Sequence, residues 1–174
     1  MNTLEAIMTR KSVRSYAQRS IPDADLEKIL RAGQAGPSCT DARDWAFLVV
    51  RDREILGKMS DANGAYAQPA RLADTAILVC GDLHKAFSPA PDYWIIDGAI
   101  ACQNMILAAH GLGIGSVWLG TYPQMERVEG LRKLFDLPGH IVPHSILAFG
   151  YEQVPQGQPR VNRYDASLVH YDHW

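Results

Sequence analysis

Between Tyr93 and His110 the apolar residues run nearly all the way round a helix: Ile95, Ile96, Ala99, Ile100, Cys102, Met105, Ile106, Ala108 and Ala109. This stretch restricts the possible folds more than any other. A helix with so little polar surface has to be central to its domain or shared with a partner chain. Sharing is what an obligate dimer does, because its interface is more apolar than ordinary surface. Gly111 is expected to close the helix.

The rest of the 174-residue chain has to be arranged around that element. Its length suits one domain with a sizeable core, 1–174, and is short for two. Apolar runs such as Thr75 to Gly81 fall far short of the roughly 20 residues that cross a bilayer, so no membrane partner is expected. A formal charge of −2 gives no overall attraction for nucleic acid or anionic lipid. Cys39, Cys80 and Cys102 are an odd, scattered set with no signal-peptide pattern ahead of them. That predicts a reduced, intracellular protein of the cytoplasm.

Taken in order, Asn2 and Glu5 resemble a capping box and predict a first helix over 3–9. Ile21-Pro22-Asp23 opens a second helix, with Leu26, Ile29, Leu30 and Gly33 on one face. Ala35 to Asp41 is a loop of small residues and hydroxyls. Trp45 to Val50 reads as a buried strand, residues 52–60 as a helix, and Ala76 to Cys80 as a second buried strand. Residues 61–71 fit no single element. Ser116 to Leu119 and His144 to Gly150 add two strands, with a helix over Glu126 to Phe135 between them. Residues 153–174 read as a polar arm with aromatics near its end, packing on another surface.

One short cluster concentrates positive charge. Arg10-Lys11-Ser12-Val13-Arg14 sets three cations and a hydroxyl within five positions. In extended chain Arg10, Ser12 and Arg14 share a face spanning about 13 Å. Guanidinium groups form paired bonds to phosphate or carbonyl oxygens, so the row suits a ligand with an anionic end and a polar body. The plainer alternative is a solvated basic turn.

Four stretches in order resemble the nitroreductase family of FMN-dependent NAD(P)H oxidoreductases. They are Arg10 to Arg14; Gly36-Pro37-Ser38 leading to Trp45-Ala46-Phe47; Asp97 to Trp118 with Gln103-Asn104-Met105 and Gly111-Leu112-Gly113; and Phe149-Gly150-Tyr151 before a basic tail. The resemblance implies an α+β fold with a central, mostly antiparallel sheet flanked by helices. It also implies a homodimer whose C-terminal arms, 153–174, are exchanged between subunits, with FMN at the interface. On this basis Arg10 and Ser12 would hold the phosphate and ribityl oxygens and Lys11 would add charge. Arg14 would reach the ring's carbonyl side or the ribityl chain. Either Arg160 or Arg163 would close over the phosphate. Pro37, Ser38 and Cys39 would pack beside the flavin from the partner chain, and Trp118 belongs to the matching stretch. Leu119 and Gly120 match the segment whose backbone N–H meets flavin N5, so no side-chain acid or base is needed there.

The implied activity is hydride transfer from NAD(P)H through N5 to a nitroaromatic, a quinone or a similar small-molecule acceptor. Two other classes remain open: a flavin store or sensor without nicotinamide turnover, and a dimeric module binding a phosphorylated metabolite through Arg10, Ser12 and Arg14. Asp41 stands where several relatives have Asn, and Arg43-Asp44 where they have Gln-Pro. A carboxylate lacks the amide's donors, and Arg43 and Asp44 are expected to pair with each other and fix the loop. The helices by which longer relatives cover the flavin are expected to be reduced. Gly113, Gly115 and Gly120 do not have dinucleotide-fingerprint spacing. His170 and His173 lack further nearby ligands for a structural zinc site, and Cys39 reads as a small loop residue rather than a nucleophile.

Overall fold

Side chains alternate faces along a strand, and in β2 (Thr75–Asp82) both faces are apolar. Ala76, Leu78 and Cys80 pack into one core with Leu56, Met59 and Leu131, whereas Ile77 and Val79 pack into another with Ile29, Met105 and Ile106. A sheet has to lie between two helical layers for this to occur. The computed structural model describes residues 1–154 and 163–174 and shows that arrangement. Four strands, β1 (Trp45–Val50), β2, β3 (Gly115–Gly120) and β4 (Ile141–Gly150), form a sheet in the order β1-β2-β4-β3. All pairings are antiparallel. The fold is α+β, as the resemblance implies.

Six α-helices are described: α1 (Thr3–Thr9), α2 (Asp23–Gln34), α3 (Arg53–Ala62), α4 (Gln68–Leu72), α5 (Tyr93–Gly111) and α6 (Met125–Phe135). Residues of α3, α4 and α6 lie in one core and those of α2 and α5 in the other. The Asn2–Glu5 capping box is present at α1. The ambiguous stretch 61–71 turns into a short 3-10 turn, Ala65–Ala67, and α4, with Pro69 in its first turn.

Helix α5 ends differently from expectation. Gly111 is still helical, and the left-handed residue is Gly113, with φ of 74°. The Gly113 N–H donates to the His110 carbonyl at 3.0 Å and that of Ile114 to Ala109 at 2.8 Å. These two bonds define a Schellman end, in which the residue after the cap, not the last helical one, needs glycine's freedom. On α5, Trp94, Ala101, Cys102, Met105 and Ala109 are buried while Ile96 is exposed. Among the described residues no helix is long and apolar enough to cross a membrane.

Candidate functional site

The basic stretch lies against the outer edge of β3. Ser12 bridges Ser116 in parallel, and the Val13 N–H donates to the Ser116 carbonyl at 2.8 Å. The Tyr16 hydroxyl ties the segment down from behind, donating to the Val13 carbonyl at 2.7 Å. Burial raises the pKa of that phenol, so it remains a donor. A Cβ on Gly115 would lie 2.8 Å from Val13, so the close approach requires glycine.

Arg10 and Lys11 line a cleft of about 200 Å³ with His110, Gly115, Ser116 and Glu152. Lys11 pairs with Glu152 at 2.9 Å. The Arg10 Nε is buried and no described protein group accepts its hydrogen bond. His110 Nε2 lies 2.9 Å from the Thr9 hydroxyl, and burial, then the charges of Arg10 and Lys11, depress the His110 pKa. A neutral imidazole adds no charge of its own, so the cleft holds the Arg10 guanidinium beside the Lys11–Glu152 ion pair. A buried guanidinium N–H without an acceptor fits an anionic oxygen.

Arg14 lines a second cleft, of about 240 Å³, with Asn63, Trp118, Leu119, Gly120 and Arg127. Arg10, Ser12 and Arg14 therefore do not face a single cavity as one row; they are distributed along the β3 edge. Because the Ser116 carbonyl points outward to Val13, strand alternation turns the Gly120 N–H to the open edge and the Leu119 N–H toward β4. The Gly120 carbonyl accepts from Asn63 at 3.2 Å and from Arg127 at 2.9 Å, which fixes that peptide's orientation. Asn63 and Arg127 were not legible as site residues. Asn63-Gly64 carries only a turn signal, and Arg127 reads as one charge on an amphipathic helix.

Behind Trp118 runs a buried polar chain. The indole Nε1–H donates to Ser145 Oγ at 2.7 Å, and Ser145 Oγ lies 3.0 Å from His144 Nδ1. His144 Nε2 lies 3.0 Å from the Ile95 carbonyl on α5. That carbonyl can only accept, so Nε2 carries the proton and Nδ1 accepts from the serine. Burial lowers the His144 pKa, in keeping with a neutral ring. Ser145→Ala is expected to strip the indole N–H of its acceptor and to leave Nδ1 with only the Cys102 thiol, 4.0 Å away. The cost is about 1–3 kcal/mol, read as a lower midpoint in chemical denaturation; an unchanged midpoint refutes the chain.

Pro37, Ser38 and Cys39 line neither cleft. Their loop is tied instead to α5: the Cys39 N–H donates to both oxygens of Asp97, at 3.1 and 2.9 Å. Ser38 Oγ accepts the Arg43 N–H at 2.9 Å. Thr40, Asp41 and Arg43 all have positive φ, between 49° and 58°. The expected Arg43–Asp44 pair is absent. The left-handed turn at Arg43 brings its guanidinium onto Asp41, with bonds of 2.8 and 2.9 Å. Asp44 is buried instead, neither carboxyl oxygen has a donor among the described residues, and burial, then the Asp97 carboxylate, push its pKa up to about 6. Arg163 is exposed and lines neither cleft, and Arg160 lies outside the described residues.

Sheet order and β3 edge define an α+β class with a basic, strand-edge site. The nitroreductase family model matches residues 7–151. A Methanothermobacter thermautotrophicus relative with a provisional NADH dehydrogenase/NAD(P)H nitroreductase name is 42% identical over 174 residues, covering 100% of this chain and 88% of its own. A crystal structure from Parabacteroides distasonis, with the same provisional name, superposes with a TM-score of 0.91 at 39% identity over 100% of both chains. A provisionally named nitroreductase of Desulfovibrio desulfuricans, crystallised in complex with FMN, gives 0.82 at 28% identity, covering 100% of this chain and 98% of its own. The chain belongs to the nitroreductase family.

Proposed function

We propose that this chain is an FMN-dependent oxidoreductase that takes hydride from NAD(P)H and reduces a nitroaromatic, a quinone or a similar acceptor. The observation that carries this is the buried Arg10 Nε in the first cleft at the β3 edge, a donor left for an anionic ligand. Bound there, FMN supplies a ring that accepts hydride at N5 and passes electrons on to the second substrate. Arg10 and Ser12 hold its phosphate and ribityl oxygens, with Lys11 adding charge beside Glu152. Arg14 and Trp118 flank the ring. The outward Gly120 N–H is the donor offered to N5, and Asn63 and Arg127 anchor the peptide that follows it through the Gly120 carbonyl.

The functional unit is a homodimer of single-domain chains, in the cytoplasm. The Pro37–Cys39 loop lines neither cleft of its own chain, so it serves the flavin of a second copy. Arm residues 163–174 are exposed on one chain, with Leu168 at 77% and Trp174 at 101%; a partner surface covers them, together with Leu4 and Met8 of α1 and Ile96 of α5. Arg160 or Arg163 then closes over the phosphate.

The test is anaerobic. Purified protein is expected to be yellow, to bleach on adding NADH or NADPH, and to regain colour with a quinone or nitroaromatic. A colourless protein that takes up no added FMN sinks the proposal. Bound FMN that neither nicotinamide reduces favours the store or sensor alternative. A monomeric mass with FMN bound removes the interface site.

A further inference from the structure

At the far end of β2, away from both clefts, Asp82, His84 and His140 each bring a ligating atom within 4.8 Å of the other two. The scaffold beneath them is fixed. Asp82 pairs with Ile141 across the β2–β4 ladder, the Leu83 N–H donates to the His140 carbonyl at 2.9 Å, and the Lys85 N–H closes the turn onto the Asp82 carbonyl at 2.9 Å. Asp82 Oδ1 accepts the His84 backbone N–H at 3.1 Å and lies 4.0 Å from His140 Nε2. The Lys85 ammonium sits on the other oxygen, Oδ2, at 3.3 Å.

The geometry points to a site for a divalent transition ion of the zinc type, held by Asp82 Oδ1, His84 and His140, with the fourth position open to solvent. Two imidazoles and one carboxylate match zinc's mixed N/O preference, whereas calcium or magnesium would want an oxygen shell. Lys85 is compatible with this, because it neutralises the carboxylate oxygen that does not ligate. Tetrahedral zinc with bonds near 2.1 Å separates its ligands by about 3.4 Å, so the three atoms must draw in by about an ångström. The imidazole rings now stack in parallel, with centroids 3.8 Å apart and planes 6° from parallel. One ion cannot lie in both planes, so one ring has to turn. His84 is exposed on the turn after β2 and is free to rotate without disturbing the core. Neither histidine belongs to the proposed flavin site, so this ion is independent of hydride chemistry and would clasp the β2 turn to the start of β4.

The experiment uses the full chain as purified, stripped with a chelator, desalted and dialysed against Zn²⁺, with metal measured by elemental analysis. One zinc per chain at micromolar free metal is expected, with a rise in melting temperature. His84→Ala and His140→Ala should each weaken uptake at least about 10-fold and cancel the thermal shift, while the His170→Ala/His173→Ala double variant behaves like the parent. No uptake at sub-millimolar Zn²⁺ overturns the site, as does uptake by a His84→Ala/His140→Ala double variant equal to that of the parent.

Discussion

Arg10→Ala is expected to give a folded protein that has lost its grip on FMN, with the dissociation constant raised about 10- to 150-fold. That range converts the 1.5–3 kcal/mol typical of a hydrogen bond to a charged group. The expectation rests on position. Arg10 follows the last turn of α1 and lines the cleft at the β3 edge, where its Nε is buried without an acceptor among the described residues. An unpartnered buried donor costs stability when no ligand is present, so removing it should leave the FMN-free protein no less stable. Truncating an ordinary half-buried residue would lower stability instead. Arg10→Lys separates charge from geometry: the ammonium keeps the attraction and loses the planar fork, so affinity should fall between the other two. Titration of FMN fluorescence gives the constants and denaturation gives the stabilities. Parent-like affinity in Arg10→Ala would remove the phosphate assignment, and with it the main support for the β3-edge site.

Features that depend on neighbours along the chain were legible in the sequence. The α1 capping box needs only Asn2 and Glu5. Strand β1 runs from Trp45 to Val50 as read, because charged residues flank an unbroken apolar run. The apolar character of α5 follows from contacts on more than one side, and its central place was readable for that reason. Features decided by distant partners were not legible. Which of Gly111 and Gly113 ends α5 depends on where the hydrogen-bond ladder stops, and both glycines permit an end. Asp44 invites pairing with the adjacent Arg43, yet its surroundings are set by Asp97 on α5. The relay from Trp118 through Ser145 and His144 to Ile95 needs the β3–β4 register and a helix crossing beneath it. The basic stretch was legible as a ligand-binding element, but its division between two clefts follows from lying along β3, which no local pattern encodes.

That dependence on β3 makes Gly115→Ala the second large effect. The new Cβ would lie 2.8–2.9 Å from the Cβ and both Cγ atoms of Val13, closer than packed carbons tolerate. Val13 is poorly placed to retreat: its N–H is bonded to Ser116 and its carbonyl accepts from Tyr16. Relief therefore has to come from shifting the whole Arg10–Arg14 segment off the strand edge. Overpacking of this kind costs about 1–3 kcal/mol, and the same shift displaces Arg10 from its cleft and Ser12 from its bridge to Ser116, so FMN affinity should fall together with stability. Gly120→Ala is the matched comparison on the same strand. Its Cβ would meet nothing within 4 Å and its φ is not positive, so apoprotein stability should change by less than about 0.5 kcal/mol. If Gly115→Ala lowers the denaturation midpoint but binds FMN as the parent does, the strand edge is a structural seam and the ligand is held elsewhere. Loss of both together ties the packing of Val13 on Gly115 to the placement of the cations.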